Sequence, residues 1–412
     1  MGLGAGVIDL AGPCVNIVGI ETIIPGDQSP LPEIVFVRVY ADEGVVGHGE
    51  TYYTPRAVSE YVHEFLAPRL LAHGGCSPEA LWEHGYRSAA RFGGRGLEMR
   101  ALSAIDVAVW DICALAQGVP LHVMLGGPTK ERLATYNTCA GPSYGKSWRV
   151  GSSPVVRGTY EDYEAFLQRP GELAVELMEQ GFAGMKIWPF DRMARIPGAP
   201  SIDPLDLRAG VEVFEKIRTA VGSGIEIMAE GHGLWSLEAA KTIANALEAV
   251  RPAWIEDFIL ADTPAALREL KQSTTIPLLA SEYLITRFEY APIIDQHAAD
   301  IIMIDPTWCG GITESRRIVS LAHAEQLPVT FHDCTGPFTL LAGIHLSFSS
   351  PNVLYQEVVR AYLHSVYAEF VDELQPLHHG EYHLPTRAGI GAALQADIES
   401  RPGVEVRLTG RR

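Results

Sequence analysis

The chain has 412 residues, of which 47% are hydrophobic, and its formal net charge is −18 at pH 7. This length exceeds that of one ordinary domain and suits a (β/α)8 barrel with a smaller companion domain. The negative charge argues against nucleic acid or a membrane surface as a partner, and no apolar run reaches the roughly 18 residues that a membrane span needs. The six cysteines are scattered without a C-x-x-C pair, so we expect free thiols and a cytoplasmic protein.

The N-terminal part of the chain predicts a β-meander. Residues 14–50 contain stretches in which apolar and polar residues alternate, a pattern typical of half-buried strands. Gly44, Gly47 and Gly49 are expected to mark turns, because glycine interrupts regular strands. The proline-rich stretch 25–32 predicts a loop that is a candidate cover for a site.

A helical pattern follows over residues 56–117, where apolar residues recur on one helical face. A glycine-rich break then separates this part of the chain from the next. We therefore expect an N-terminal α+β domain over residues 1–130 and a second domain over residues 131–374. The tail at residues 375–412 has few helix signals, and we expect it to fold back on the N-terminal sheet and complete the first domain.

Strand-like and helical segments alternate through the second domain. The predicted strands are residues 133–139, 184–188, 225–230, 253–258, 277–282, 301–305, 328–332 and 353–357. Eight strands that alternate with helices favour a closed parallel TIM barrel over an open doubly wound sheet. The predicted fold class is therefore α/β. Residues 145–160 are expected to form an insertion after the first strand.

Three of these strands end at a carboxylate, namely Glu230, Glu256 and Glu282. Consecutive members of this set are 26 residues apart, about the length of one strand, loop and helix. Successive strands of a parallel barrel end at the same rim, so the three carboxylates are expected to converge. Three oxygen ligands without accompanying cysteines suit a hard divalent ion, and Mg2+ is favoured over Mn2+.

Further polar side chains lie at or just after other strand ends. They are Lys186, His232, Asp305, His332 and Glu357. A cation that binds a substrate carboxylate makes the neighbouring C–H more acidic, and a histidine held by an aspartate can remove that proton near neutral pH. The sequence therefore predicts proton abstraction next to a carboxylate by a histidine that an aspartate holds in place.

Several short segments occur in a specific order along the chain. They are residues 104–111, 118–120, 125–127 and 181–186, the three strand-end glutamates, Asp305 with residues 309–313, His332 and residues 356–357. In this order they resemble the enolase superfamily, mandelate racemase subgroup, which is the mandelate racemase/muconate lactonizing enzyme family. The resemblance runs from about residue 15 to residue 395, which is almost the whole chain.

The resemblance implies a role for each predicted site residue. The three strand-end glutamates would hold Mg2+, and Asp305 and His332 would form the catalytic dyad, as this superfamily pairs a lysine or histidine base with Mg2+. Glu357 would hydrogen-bond the substrate carboxylate. The N-terminal domain would be a capping domain whose loops select the substrate.

Three departures from the subgroup pattern bear on the reaction. Glu230 replaces a frequent aspartate, Phe258 replaces a usual proline, and Trp188 replaces the second lysine of the racemase Lys-x-Lys pair. Tryptophan cannot accept a proton, so a simple two-base racemase is disfavoured. His232 lies where the acid-sugar dehydratases of the subgroup have a histidine that protonates the departing hydroxyl. The resemblance therefore implies a hydro-lyase that converts an acid sugar into a 2-keto-3-deoxy acid.

Other functions stay open at this point. Lys186 as a second base would support a racemase, an epimerase or a cycloisomerase. Alternatively, Lys186 is simply a partner of the nearby acidic side chains. A non-catalytic binding protein that retains the fold and a metal-dependent aldolase on the same barrel are further alternatives. In the favoured hypothesis Lys186 contacts the substrate carboxylate, and Trp188 and Trp308 form part of the substrate pocket.

The regions expected to select the substrate are the loops near residues 25–32 and 50–56 and the segment 141–160. A small-molecule carboxylate, most simply an acid sugar, is the expected partner. A homo-oligomer is expected because most soluble oligomers are symmetric assemblies of one chain.

Overall fold

The structure, a computed structural model, describes residues 15–144 and 158–412 of the chain. The predicted insertion at residues 145–160 therefore lies almost wholly outside the described residues. Within them, no helix is both long and apolar enough to cross a membrane. The cysteines of the described part are free thiols.

The N-terminal strands form an antiparallel meander, as predicted. They are β1 (Ile17–Ile24), β2 (Ile34–Ala41) and β3 (Val46–Tyr52). The helices that follow are α1 (Pro55–Tyr61), α2 (Ala67–His73), α3 (Pro78–Ala89), α4 (Leu97–Ala116) and α5 (Leu121–Met124). We refer to β1–β3 with α1–α4 as the cap.

Two of the three glycines that were expected in turns lie inside a strand instead. Gly44 forms the turn between β2 and β3 with a φ of 77°, whereas Gly47 and Gly49 belong to β3. A Cβ on Gly47 would lie 2.0 Å from the carbonyl oxygen of Ala108, and one on Gly49 would lie 2.1 Å from that of Ala104. The two glycines are therefore packing residues, because only glycine lets α4 lie this close to the strand.

A closed barrel of eight parallel strands forms the rest of the core. Its strands are β4 (Arg132–Thr138), β5 (Gly184–Ile187), β6 (Glu226–Glu230), β7 (Trp254–Glu256), β8 (Leu278–Ala280), β9 (Ile301–Ile304), β10 (Val329–Phe331) and β11 (Val353–Val358). Parallel pairing of β11 with β4 closes the barrel. Each strand overlaps a predicted one, so the TIM-barrel prediction is confirmed.

Helices connect the barrel strands and cover them from outside. They are α6 (Asp162–Gln168), α7 (Pro170–Glu179), α8 (Pro204–Val221), α9 (Leu237–Leu247), α10 (Pro264–Gln272), α11 (Thr286–Asp295), α12 (Gly311–Ala324), α13 (Pro337–Ser349) and α14 (Arg360–Ser365). Because helices cover the parallel sheet, the strands are apolar on both faces, and all four residues of β9 are buried.

The tail divides between the two parts of the molecule. Its strands are β12 (Leu377–His378), β13 (Glu381–His383) and β14 (Glu405–Gly410). β13 pairs antiparallel with β4 of the barrel, whereas β14 pairs antiparallel with β1, so the cap sheet has the order β14-β1-β2-β3. The domain limits at residues 130 and 374 stay a prediction.

Hydrogen bonds join the cap to the barrel at the carboxyl ends of its strands. Trp110 in α4 donates its indole N–H to the hydroxyl of Thr313 at 2.8 Å. Thr51 in β3 donates its hydroxyl to the carbonyl oxygen of Thr307, just after β9, also at 2.8 Å. The cap is therefore fixed over the rim at which the predicted site residues converge.

Candidate active site

The carboxyl ends of the barrel strands surround an open cavity, to which the cap contributes Tyr52 and Tyr53. Eight of the ten predicted site residues line it, namely Lys186, Trp188, Glu230, His232, Glu282, Trp308, His332 and Glu357. The other two, Glu256 and Asp305, are fully buried and bind side chains that line it. The ten residues that were predicted from the sequence therefore lie in or directly behind one cavity.

Three carboxylates surround the ammonium group of Lys186. The N–O distances are 2.5 Å to Glu256, 2.8 Å to Glu357 and 3.2 Å to Glu230. Glu230 and Glu256 are direct neighbours because the parallel register pairs them across β6 and β7. Burial alone would lower the pKa of Lys186, but these carboxylates raise it well above its usual value. Lys186 is therefore a cation in this geometry and not a base.

The predicted metal ligands are only partly arranged around a common point. Among the described residues, no group of three or more histidine, cysteine, aspartate or glutamate side chains is arranged to hold a metal ion. Lys186 binds oxygens of both Glu230 and Glu256 in this geometry. In the same part of the chain, Oε2 of Glu282 is buried and has no hydrogen-bond partner. This orphaned oxygen and the excess of carboxylates over cations fit a hard divalent ion, and the metal site stays a prediction.

The electrostatics of these carboxylates indicate uncompensated negative charge. Burial raises the pKa of Glu256 well above its usual value and also raises the pKa of Glu282. Burial has the same tendency at Glu230, but the charges of His232 and Lys186 outweigh it and lower the pKa to about 2. Two backbone N–H groups also donate to Glu230 Oε1, at 3.0 and 2.9 Å. A cation added here would favour the ionised form of all three glutamates.

His332 and Asp305 form the predicted dyad. Nδ1 of His332 lies 2.7 Å from Oδ2 of Asp305. An ionised carboxylate only accepts hydrogen bonds, so Nδ1 carries the proton and Nε2 is the nitrogen left to act as a base. Burial lowers the pKa of His332, but the hydrogen bond to Asp305 and the charges of Glu357 and Glu282 raise it to about 9. This pKa is above the near-neutral range expected from the sequence, because several carboxylates lie close to the ring. A cation held by Glu282 would offset part of that negative charge and lower the pKa toward the range in which Nε2 is free to accept a proton.

His232 has a carboxylate partner that the sequence reasoning missed. Its Nδ1 lies 2.6 Å from Oδ2 of Asp191, and its Nε2 lies 3.2 Å from the hydroxyl of Tyr144. Burial lowers the pKa of His232, but the charges of Asp191 and Glu230 raise it to about 9. The available signal was modest: Asp191 is an acidic residue three positions after Trp188, just past the end of β5.

Each predicted pocket tryptophan lies against one of the two histidines. The ring centroids of Trp188 and His232 are 5.6 Å apart at an interplanar angle of 89°, and those of Trp308 and His332 are 5.1 Å apart. Four tyrosines complete this surface: Tyr52, Tyr53 and Tyr144 come from regions expected to select the substrate, and Tyr283 was not predicted. The cavity therefore combines charged groups with apolar aromatic faces, a combination that suits a polar molecule with C–H surfaces.

Glu357 is already engaged by protein groups. Besides the contact with Lys186, its Oε1 accepts a hydrogen bond from the hydroxyl of Thr138, and its Oε2 accepts one at 2.8 Å from the backbone N–H of Asp333. The direct role of Glu357 toward a substrate carboxylate stays a prediction. In the described geometry it helps to hold the Lys186 ammonium in the cavity.

The expected specificity regions differ in their relation to the cavity. Tyr52 and Tyr53, from the predicted loop near residues 50–56, line it, whereas no residue of the 25–32 loop does. Tyr53 has a positive φ of 71°, which is uncommon for a residue with a side chain and is typical of functional sites. Of the 141–160 segment, Tyr144 lines the cavity, and residues 145–157 lie outside the described residues.

Comparison with known proteins places the chain in a family. Residues 170–398 match the family described as Enolase C-terminal domain-like, and residues 30–126 match the one described as Mandelate racemase / muconate lactonizing enzyme, N-terminal domain. The first match alone covers more than half of the chain. The two matches fall on the barrel and on the cap, respectively.

Individual relatives agree with this placement. The chain is 31% identical over 367 residues to a D-galactonate dehydratase of Ralstonia nicotianae, covering 87% of this chain and 88% of that protein. It is 29% identical over 376 residues to a D-galactonate dehydratase of Pectobacterium atrosepticum, covering 89% and 90%. A crystal structure of an enolase of the mandelate racemase subgroup from Agrobacterium tumefaciens superposes with a TM-score of 0.82 at 35% identity, covering 96% of this chain and 98% of that one. The chain therefore belongs to the mandelate racemase/muconate lactonizing enzyme family, in the mandelate racemase subgroup of the enolase superfamily.

Proposed function

We propose that the protein is a Mg2+-dependent hydro-lyase that removes water from an acid sugar and releases a 2-keto-3-deoxy acid. The observation that carries this proposal is the placement of His332 and His232 in one cavity, each with a carboxylate oxygen near Nδ1, at 2.7 and 2.6 Å. Elimination of water needs one group to remove a proton and another to give one, and two such histidines fit both needs. The relatives named D-galactonate dehydratase support a sugar acid as the class of substrate.

The proposed reaction uses the second ring nitrogen of each histidine. His332 removes the proton from the carbon next to the substrate carboxylate through Nε2. His232 gives a proton to the hydroxyl on the next carbon, which leaves as water. Loss of the proton and the hydroxyl leaves an enol, and its tautomerisation gives the 2-keto-3-deoxy acid.

The substrate carboxylate needs positive charge around it. When bound, Mg2+ would neutralise this group and make the neighbouring C–H more acidic, and Mn2+ could supply the same chemistry. Glu230, Glu256 and Glu282 are the side chains that would hold the ion. Lys186 supplies a fixed cation in the same cavity and is the proposed contact for the substrate carboxylate.

The alternative reaction, racemisation or epimerisation with Lys186 as a second base, finds less support. The ammonium group of Lys186 binds three carboxylates, and Trp188, which cannot accept a proton, stands where the racemase pattern has its second lysine. Cycloisomerisation with the same lysine faces the same objection. A non-catalytic binding role finds no support in a cavity that retains both histidines with their carboxylates.

The decisive experiment is a screen of mono-acid and di-acid sugars with Mg2+, starting with D-galactonate, for 2-keto product. His332→Asn serves as the blank. Product from the wild-type protein and none from the variant is the expected result. Exchange of the α-hydrogen with inversion, without keto product, would instead identify a racemase or epimerase. Neither exchange nor product from any acid sugar would support a binding protein.

A further inference from the structure

A chain of hydrogen bonds runs from the catalytic dyad to a carboxyl group of the cap. From His332 the chain passes to Asp305 at 2.7 Å and from Asp305 Oδ1 to the hydroxyl of Thr307 at 2.8 Å. The hydroxyls of Thr307 and Thr339 are 2.9 Å apart. The hydroxyl of Thr339 lies 2.8 Å from Oε1 of Glu50, where this chain of hydrogen bonds ends.

Glu50 belongs to β3 of the cap, whereas the other members of the chain belong to the barrel. Thr307 follows β9, and Thr339 lies in the first turn of α13. Glu50 is fully buried. It also approaches the barrel backbone closely, because a Cβ on Gly336 would lie 2.5 Å from Glu50 Oε1. The carboxyl group of a cap residue is therefore enclosed by the barrel, next to the dyad.

The number of protons in this chain is restricted. Three oxygen–oxygen contacts separate Asp305 from Glu50, and each requires one proton to be a hydrogen bond. The hydroxyls of Thr307 and Thr339 supply one proton each. One contact therefore lacks a proton unless a carboxyl group at one end of the chain supplies it.

Asp305 cannot supply the third proton. Its Oδ2 accepts hydrogen bonds from His332 Nδ1 at 2.7 Å and from the Thr335 hydroxyl at 2.9 Å. Its Oδ1 accepts from the backbone N–H of Thr307 at 2.7 Å as well as from the Thr307 hydroxyl. Three donors outside the hydroxyl chain, on His332, Thr335 and the Thr307 backbone, therefore already use Asp305 as an acceptor. We assign the missing proton to Glu50 for this reason.

The surroundings of Glu50 agree with this proton count. The backbone N–H of Thr339, at the N terminus of α13, lies 2.7 Å from Oε1 and favours the ionised form, but burial outweighs it and raises the pKa of Glu50 to about 8. Among the described residues, Oε2 of Glu50 is buried without a hydrogen-bond partner. An unpaired oxygen costs less free energy on a neutral carboxyl group than on a carboxylate.

We propose that Glu50 is a positioning residue of the Asp305–His332 dyad and that it acts as a neutral, protonated carboxyl group donating into the hydrogen-bond chain. With the proton on Glu50, every hydroxyl of the chain points toward Asp305. Asp305 is thereby held in orientation as a hydrogen-bond acceptor, and the His332 ring keeps Nε2 toward the cavity. The effect on catalysis rests on the proposed function, whereas the protonation state of Glu50 does not.

Infrared spectroscopy tests the protonation state without any substrate. The wild-type spectrum at pH 7 minus that of Glu50→Gln is expected to contain the C=O band of a protonated carboxyl group, which shifts in D2O. Burial also raises the pKa of Asp106 and of Asp333 to about 7, and any band from these groups is present in both proteins and cancels. Absence of the band would mean that Glu50 is ionised and would overturn the proposal.

Paired variants of Thr339 test the positioning role. Thr339→Val keeps the shape and the backbone N–H but removes the hydroxyl, whereas Thr339→Ser keeps the hydroxyl. We expect kcat for elimination to fall roughly 10-fold in the valine variant, equivalent to about 1.4 kcal/mol, with KM unchanged. The serine variant should retain the wild-type kcat.

The controls separate the possible failures. Equal melting temperatures of the two variants exclude a general loss of folding, and equal kcat values would overturn the positioning role. If the wild-type protein shows no elimination with any acid sugar, the proposed function fails. The infrared result on Glu50 is then still decisive for the protonation state.

Discussion

His232 and Asp191 form a second histidine–carboxylate pair, with Nδ1 of the histidine 2.6 Å from Oδ2 of the aspartate. The backbone of His232 has a positive φ of 46°, a strained conformation that places its ring within reach of this carboxylate. His232 is therefore fixed in the cavity from both its backbone and its side chain. The pair differs from the His332–Asp305 dyad in its expected role, because it is assigned to the departing hydroxyl and not to the α-proton.

Asp191→Asn is expected to separate the two half-reactions. The variant loses the charge that orients His232, so formation of the 2-keto product should fall about 10- to 100-fold, within the usual contribution of a positioned acid. Removal of the α-proton by His332 should continue. The measurement is the ratio of α-deuterium incorporation from D2O to keto product, which should rise. An equal loss of both rates would contradict the assignment of His232.

His332→Asn is expected to abolish both exchange and elimination. Loss of the general base should lower kcat by about 10²- to 10⁴-fold. The matched control is His378→Asn, because His378 is an exposed histidine of β12 that does not line the cavity. The control should keep the wild-type rate. Product formation by His332→Asn at the wild-type rate would rule out the proposed mechanism.

Mg2+ is expected to stabilise the protein through the three strand-end glutamates. At a concentration 100 times its Kd, the ion should raise the free energy of unfolding by about 2.7 kcal/mol. Glu282→Gln removes the carboxylate whose oxygen is orphaned in the described structure and should weaken this effect. Glu238→Gln, at a position 76% exposed, is the control and should behave as the wild type. Urea unfolding with and without Mg2+ gives the result, and an unchanged midpoint would argue against the metal site.

His345 is expected to make stability depend on pH. It is fully buried, accepts a hydrogen bond at Nδ1 from the backbone N–H of His122 at 3.0 Å, and faces the carbonyl of Ile390 with Nε2 at 3.2 Å. The contact with His122 requires an unprotonated Nδ1 and therefore the neutral ring, and burial lowers the pKa of His345 from 6.5 to about 3. The unfolded chain therefore takes up the proton first, so the stabilisation is complete above pH 6.5 and is lost as the pH falls toward 3.

The expected loss at pH 5 is about 2 kcal/mol, from 1.5 pH units at roughly 1.4 kcal/mol each. His345→Gln is a suitable comparison, since glutamine also offers one acceptor and one donor but does not titrate. The free energy of unfolding of this variant should fall less steeply between pH 7 and pH 5. Parallel curves for the two proteins would show that His345 does not titrate on unfolding.

The barrel was predictable because its signals are local. Each strand is a short apolar run, and the runs that end at Glu230, Glu256 and Glu282 are spaced by one strand–helix unit. The closed topology then brings those strand ends to one rim, which is why most predicted site residues line a single cavity. The resemblance to the family gave the remaining roles, and the expected cytoplasmic location and homo-oligomeric state stay predictions.

The details that were not predicted depend on contacts between distant parts of the chain. The sequence left the pairing of Lys186 with nearby acids as an alternative, but its three partners on β6, β7 and β11 follow only from the closed barrel. The contact of Glu50 with Thr339 requires the docked cap, which sequence spacing does not specify. Gly47 and Gly49 were misinterpreted for the same reason. A glycine that allows a helix to pack closely against a strand and a glycine that forms a turn look identical in the sequence.

The pairing of β14 with β1 imposes an order on assembly during synthesis. β1 leaves the ribosome before any barrel strand, and β14 leaves it after all eight. Until then β1 has an open edge, a hazard for aggregation in a nascent chain. The enclosure of Glu50 similarly requires Thr339 to have been synthesised. The cap that carries Tyr52 and Tyr53 is thus completed late. In a ribosome-bound chain stalled after β11, we expect a formed barrel next to a cap sheet that still lacks β14.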